Sequence, residues 1–282
     1  MGYNLKDIVS GMGRSKCGTE SLKTRASPIP VTQDVPDVCA IDGGSCILWS
    51  RGDRSIGVVR YAWVCYDSSF KILKMHVESA FVEGSESEIG KRRESEEARL
   101  AGECAKPGRI VLCDGALSDE TRKAVGSDRK CPVVGISKSS SLSYLVPGRP
   151  DTSVSLGAIS YLRYPDDIQA AIRHAKGGKE KVCTVLAQLH RQGRTYRADI
   201  AGEPEKTLSQ IVPYCGYFLC PGYPFPLEEA HRIACLDDKK DMYQGMLREE
   251  MISQGMFDEY ISGKIENNRE RGEFHSVLDS LV

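Results

Sequence analysis

The sequence predicts an α/β protein, a mixed β-sheet flanked by helices, and three observations carry that prediction. Near the start stand three apolar, β-branched segments: DVCAIDGGSCILW (37–49), SIGVVRYAWVCY (55–66) and FKILKMHVES (70–79). Their alternation reads as strands, and the Asp67-Ser68-Ser69 step between the last two reads as a hairpin turn. The period then changes over 85–104, where Ile89, Arg93, Glu97, Leu100 and Cys104 recur every three or four residues on one helical stripe. Finally RIVLCD (109–114) is apolar up to Asp114, the pattern of a strand buried on both faces.

A helix at 118–125 and a strand over CPVVGISK (131–138) continue the series. The order β-β-β-α-β-α-β matches a ribonuclease-H-like core. Residues 139–153 form a Ser/Pro/Gly-rich loop. Candidate strands follow at 156–163, 181–189 and 194–200, the last two joined as a hairpin by Arg191-Gln192-Gly193. A helix at 205–213 and one long helix over 226–254 close the series, with Pro224 and Pro226 at the start of the latter. The chain divides into an N-terminal arm or helix (1–36), a catalytic domain (37–257) and a charged tail or docking helix (258–282).

The chain has 282 residues, enough for one large core. The net charge of −1 excludes a globally basic nucleic-acid binder but leaves room for a local basic groove. No segment is apolar enough to span a membrane and the N-terminus has no signal core, so a cytoplasmic protein is expected. The 11 cysteines are scattered without a CxxC pair and read as reduced, small core residues.

Two strands carry Asp-Gly: IDGGS places Asp42 before Gly43 and Gly44, and LCDGAL places Asp114 before Gly115. Adjacent in a sheet, the two carboxylates would repel, and a divalent cation removes the conflict. Hard oxygen ligands favour Mg²⁺ or Mn²⁺ over zinc. The glycines are read as clearance for backbone or phosphate. A third acid is expected from the helix: Glu97 is the first choice, Glu94 the fallback, and Glu96 faces further round. His231, in GYPFPLEEAHRIA, is a candidate ligand or proton carrier. Such a site suits phosphodiester hydrolysis. Lys138, Arg149, Arg163, Arg191, Arg194 and Arg197 are candidate phosphate contacts, and Tyr144, Tyr161, Tyr164 and Tyr196 candidate stacking surfaces.

In order along the chain, IDGGS, RRESEEARLA, LCDGAL, VVGISKSS, VLAQLHRQGRTYRADI and GYPFPLEEAHRIA resemble the motifs of the NurA nuclease family. The likeness runs over about 37–240 and assigns Asp42, Glu97, Asp114 and His231 to metal and catalysis, Lys138 to catalysis and DNA, and Arg197 to a basic position. The resemblance implies a Mn²⁺-dependent nuclease that degrades single-stranded DNA and resects duplex ends 5′→3′. It implies a homodimer docked on a hexameric HerA ATPase in recombinational repair. The extra acid at Glu96 departs from the family pattern and leaves the helix register open. Two other readings compete: a nucleotide-binding phosphotransferase of the actin-like superfamily, and a non-catalytic adaptor of a ring ATPase. The first needs a late glycine-rich adenosine site, and Gly177-Gly178 is the only late glycine pair. The second is opposed by the presence of all three acids.

Overall fold

The computed structural model describes residues 26–125, 131–138, 155–164, 166, 169 and 182–270. Nine strands form one sheet: β1 (Ser27–Pro28), β2 (Asp37–Arg51), β3 (Arg54–Tyr66), β4 (Ile72–Gly84), β5 (Arg109–Asp114), β6 (Val133–Ser137), β7 (Ser160–Arg163), β8 (Cys183–Gln188) and β9 (Tyr196–Ala201). Their spatial order is β1-β7-β8-β9-β6-β5-β2-β3-β4. β2, β3 and β4 are an antiparallel meander, and β2, β5 and β6 run parallel. The sheet is therefore mixed, as the element order predicts.

The helices are α1 (Glu86–Cys104), α2 (Asp119–Val125), α3 (Pro204–Ile211), α4 (Phe225–Ala234), α5 (Lys240–Ser253) and α6 (Phe257–Glu270). The crossover through α1 starts at Ser85, where a reciprocal capping box with Glu88 satisfies two backbone donors. The buried stripe of α1, including Ile89, Leu100 and Ala101, packs on Cys39, Ile41 and Val111 of one sheet face. Leu208 of α3 and Leu227 and Ala230 of α4 pack on Val38, Ala40 and Leu112 of the other face. The two layers leave the parallel strands buried on both sides, which is why β5 is apolar without alternation.

The meander turn is held by Asp67, whose Oδ1 accepts the N–H groups of Ser69 and Lys71, each at 2.9 Å. Several boundaries differ from the sequence reading. The expected long helix over 226–254 is two helices: α4 ends at Ala234, and Leu236 turns into a separate cluster with Leu48 and Tyr243. The Leu-Asp-Asp-Lys-Lys step offers no apolar stripe to carry the helix across. The expected helix at 205–213 stops at Ile211 and tightens into a 3₁₀ turn (Val212–Cys215) containing Pro213. The strand expected at 156–163 spans only Ser160–Arg163, because the N–H groups of Leu156 and Gly157 go to the Gln188 side chain instead of a ladder. The three N-terminal strands are each longer than predicted.

The cysteine reading is corrected as well. Cys39 and Cys65 form a disulfide across β2 and β3, where the hairpin register sets them directly opposite. That pairing depends on register and not on sequence spacing. At the C-terminus, α6 docks on β2: Trp49 donates its indole N–H to the Tyr260 carbonyl at 3.1 Å.

Candidate active site

β2 and β5 pair in parallel with Ile41 opposite Cys113, so the next residues, Asp42 and Asp114, emerge side by side. α4 crosses the same end of the sheet and brings His231 over both. The His231 ring Nδ1 lies 2.6 Å from Asp42 Oδ2 and 3.5 Å from Asp114 Oδ2. The angle of α4 is held from below by Arg60 of β3, whose Nε donates to the Ile233 carbonyl at 2.8 Å near the helix C-terminus.

Asp42 is buried, 8% exposed, and accepts the Gly43 N–H at 2.8 Å. Burial and the neighbouring Asp114 raise its carboxyl above the ordinary range, against the opposing pull of His231. Two unit charges about 4 Å apart repel by about 4 kcal/mol at an effective dielectric of 20, so the pair favours a cation or a shared proton. Lys138, after β6, supplies part of that charge: its Nζ is 3.1 Å from Asp114 Oδ2 and 4.9 Å from the centre of the Tyr223 ring.

Glu97 reaches the same cleft from α1, on the opposite face of β2. It does so through the space that Gly43 leaves open. A Cβ on Gly43 would stand 2.6 Å from Glu97 Oε1 and 3.0 Å from Arg93 Cγ. On the other face, a Cβ on Gly44 would stand 2.8 Å from the Ala234 carbonyl oxygen of α4. The glycines, read as clearance for backbone or phosphate, make room for the α1 side chains at Gly43 and for the α4 backbone at Gly44, the two helices that deliver Glu97 and His231. Gly115 has φ +89° and makes the turn after Asp114. Burial pushes the Glu97 carboxyl up to about 8, with Arg93 opposing and Asp42 adding to the shift.

The acids and His231 line one cleft of about 630 Å³, which also takes in Arg93, Glu94 and Ser118. Asp42, Asp114 and His231 each offer a ligand atom within 4.8 Å of the others. Two carboxylates and an imidazole suit Mn²⁺ or Mg²⁺, and the repulsion between the buried acids is the conflict such a cation resolves, so the donor set fits a hard divalent ion. Glu94 stands at the cleft mouth, whereas Glu96 is buried and held by Arg92 at 2.6 Å and Arg99 at 2.7 Å.

Three sequence expectations fail here for a common reason, burial. Arg197, expected at a DNA contact, is 5% exposed, and its Nη2 binds both oxygens of Asp199 at 3.0 and 2.8 Å. Tyr164 and Tyr196, expected as stacking surfaces, are also buried. Arg149 and Tyr144 lie outside the described residues. Arg163, Arg191 and Arg194 do not line the cleft. Two residues were missed. Tyr223 places a buried hydroxyl beside Asp114, and burial, with the Asp114 charge second, pushes the phenol up. No periodicity marks it. Arg93 was legible as the residue one turn before Glu97 on the same stripe.

The family model for the NurA domain matches residues 36–235. The chain belongs to the NurA family. The match spans every cleft residue from Asp42 to His231. The NurA nuclease from Sulfolobus solfataricus has a similar structure, with TM-score 0.63 and 17% identity over 89% of this chain and 95% of that one. A NurA structure bound to dAMP and manganese is similar at TM-score 0.56 and 12% identity, over 85% of this chain and 93% of that one. These likenesses establish the shared NurA fold. No curated protein matches the chain. Among the described residues, no helix is long and apolar enough to cross a membrane.

Proposed function

We propose that this NurA-family protein is a Mn²⁺-dependent deoxyribonuclease, with Mg²⁺ as a possible substitute. It hydrolyses single-stranded DNA and trims duplex ends 5′→3′, in the cytoplasm, during end resection for recombinational repair. In this reading it works as a homodimer with a hexameric HerA-type ATPase. The observation that carries the chemistry is the Asp42–Asp114–His231 cluster lining an open cleft. The family match supports the wider setting, and the manganese and dAMP in a NurA structure of similar fold support the cation and the nucleotide class.

A bound divalent ion supplies a water of lowered pKa and a Lewis-acid clamp on phosphate oxygens. The rest is done by the chain. Asp42 and Asp114 hold the ion from adjacent strands whose register cannot slip without turning both side chains to the other face. His231 presents Nδ1 to the same point. Its other ring nitrogen, Nε2, is left to carry a proton. Glu97 completes the acid set from α1. Lys138 donates to Asp114 Oδ2 and orients that carboxylate.

The test uses end-labelled single-stranded DNA and a blunt duplex with Mn²⁺. Wild type cuts, EDTA stops it, and Asp42→Ala cuts neither substrate. Intact DNA with wild type, or equal cutting by Asp42→Ala, overturns the reading. Labels on each end in turn report polarity.

A further inference from the structure

The cleft holds an arginine that its acids leave incompletely bound. Arg93 Nε is 3.7 Å from Glu97 Oε1, Nη2 is 3.9 Å from Glu94 Oε1, and Nη1 is 3.5 Å from the Gly43 carbonyl. A charge-assisted hydrogen bond of this type is about 2.7–2.9 Å long, so all three contacts are loose. The Nε–H is buried and has no hydrogen-bond partner. The same helix supplies the control. Arg92 and Arg99 close on Glu96 at 2.6 and 2.7 Å, as surface arginines with a nearby carboxylate do.

Position separates Arg93 from these neighbours. Its stem crosses β2 at the bare Cα of Gly43, which carries the guanidinium to the cleft wall beside Glu97. Among the described residues it is the one lysine or arginine lining the cleft wall, against Asp42, Glu94, Glu97, Asp114 and Asp119, with Lys138 engaged on Asp114 beside it. A polyanion entering so acidic a cleft needs a cation of the protein as well as a metal. A phosphodiester has two non-bridging oxygens, and the planar guanidinium fork matches such a pair of acceptors.

We propose that Arg93 is a substrate-binding catalytic residue whose guanidinium takes a non-bridging oxygen of the phosphodiester in the cleft. The assignment rests on reading the cleft as a phosphodiester-cleaving site. Removing one preorganised donor to a transition-state oxyanion costs about 10²–10³ in rate, which sets the expected effect.

The test compares wild type, Arg93→Gln and Arg93→Lys, each checked for an unchanged thermal midpoint. Three quantities are read: single-stranded DNA cleavage with Mn²⁺, DNA affinity by anisotropy with non-cleaving Ca²⁺, and Mn²⁺ affinity by calorimetry without DNA. Arg93→Gln is expected to lose about 100-fold in kcat/KM. It is expected to lose about tenfold in DNA affinity, the value of one charged hydrogen bond. Its Mn²⁺ affinity stays within about twofold, since Arg93 is neither a ligand nor closely hydrogen-bonded to Glu97. Arg93→Lys restores the charge but not the fork, and recovers only part of the rate. Cleavage by Arg93→Gln at the wild-type rate overturns the proposal. So does a loss of Mn²⁺ affinity with DNA affinity unchanged, which would make Arg93 a positioning residue for Glu97. If wild type cleaves nothing, the nuclease reading fails by itself. The DNA-affinity comparison then still decides the Arg93 contact, with equal affinities counting against it.

Discussion

Asp42 on β2 and Asp199 on β9 are both buried carboxylates in one sheet, 8% and 1% exposed, yet they sit in opposite kinds of surroundings. Asp199 is saturated. Arg197 binds both its oxygens, and the Thr184 hydroxyl donates to Oδ1 at 2.8 Å. Asp42 has a backbone N–H and His231 on it, but also a second carboxylate beside it and open space above. The first arrangement uses up its charge inside the fold. The second leaves a surplus of negative charge facing a cleft. Buried charge alone does not mark a site. Buried charge left unbalanced beside an opening does.

Four substitutions sharpen that contrast, in falling order of expected effect. Asp42→Ala should abolish Mn²⁺-dependent cleavage, a loss of about 10³-fold or more in an end-labelled DNA assay. Its metal-free thermal midpoint should stay near that of wild type, because one of two repelling acids is gone. A collapse of the metal-free fold would break the contrast. Asp199→Ala should behave the other way. Stranding the Arg197 charge in the interior should lower stability by about 3–5 kcal/mol in urea denaturation. The folded fraction should still bind Mn²⁺ at the wild-type affinity.

Gly43→Ala should fall between the two. The new Cβ would press on the Glu97 carboxylate and the Arg93 stem, and displacement of such groups by about 1 Å costs on the order of 100-fold in rate. The free ends of these side chains can move, so the thermal midpoint should change little while kcat falls. Lys138→Met should be the mildest. The side chain is 41% exposed, and its loss should weaken DNA binding modestly and reduce the slope of log affinity against log salt by about one, if the lysine also meets a phosphate. An unchanged slope would confine Lys138 to orienting Asp114.

The fold was legible where local pattern and tertiary role agree. The meander, the α1 crossover and the apolar β5 carry their periods in the residues themselves, and a parallel β2–β5 pair then brings Asp42 to Asp114. Legibility failed where register or packing decides. Cys39 and Cys65 meet because of hairpin alignment, and the α4–α5 break reflects where Leu236 finds a core. Arg197 looked like a phosphate contact because a basic residue on a late strand gives no sign of its partner two residues on. The two glycines read as clearance for backbone or phosphate, and the room is taken by the α4 backbone on one face and by the Glu97 and Arg93 side chains on the other. Glu97, Asp114 and His231 stand in the same cleft as Asp42, although His231 is exposed: strand pairing aligns the two aspartates, and α1 and α4 bring Glu97 and His231 from opposite faces of β2.

Whether Asp42, Asp114 and His231 together hold a divalent ion is decided by anomalous diffraction at the manganese edge from crystals soaked in Mn²⁺. A peak is expected within about 2–2.5 Å of carboxylate oxygens of Asp42 and Asp114 and of a His231 ring nitrogen, lost in Asp42→Ala crystals. A cleft without a peak under saturating Mn²⁺, or a peak elsewhere that survives Asp42→Ala, would contradict it.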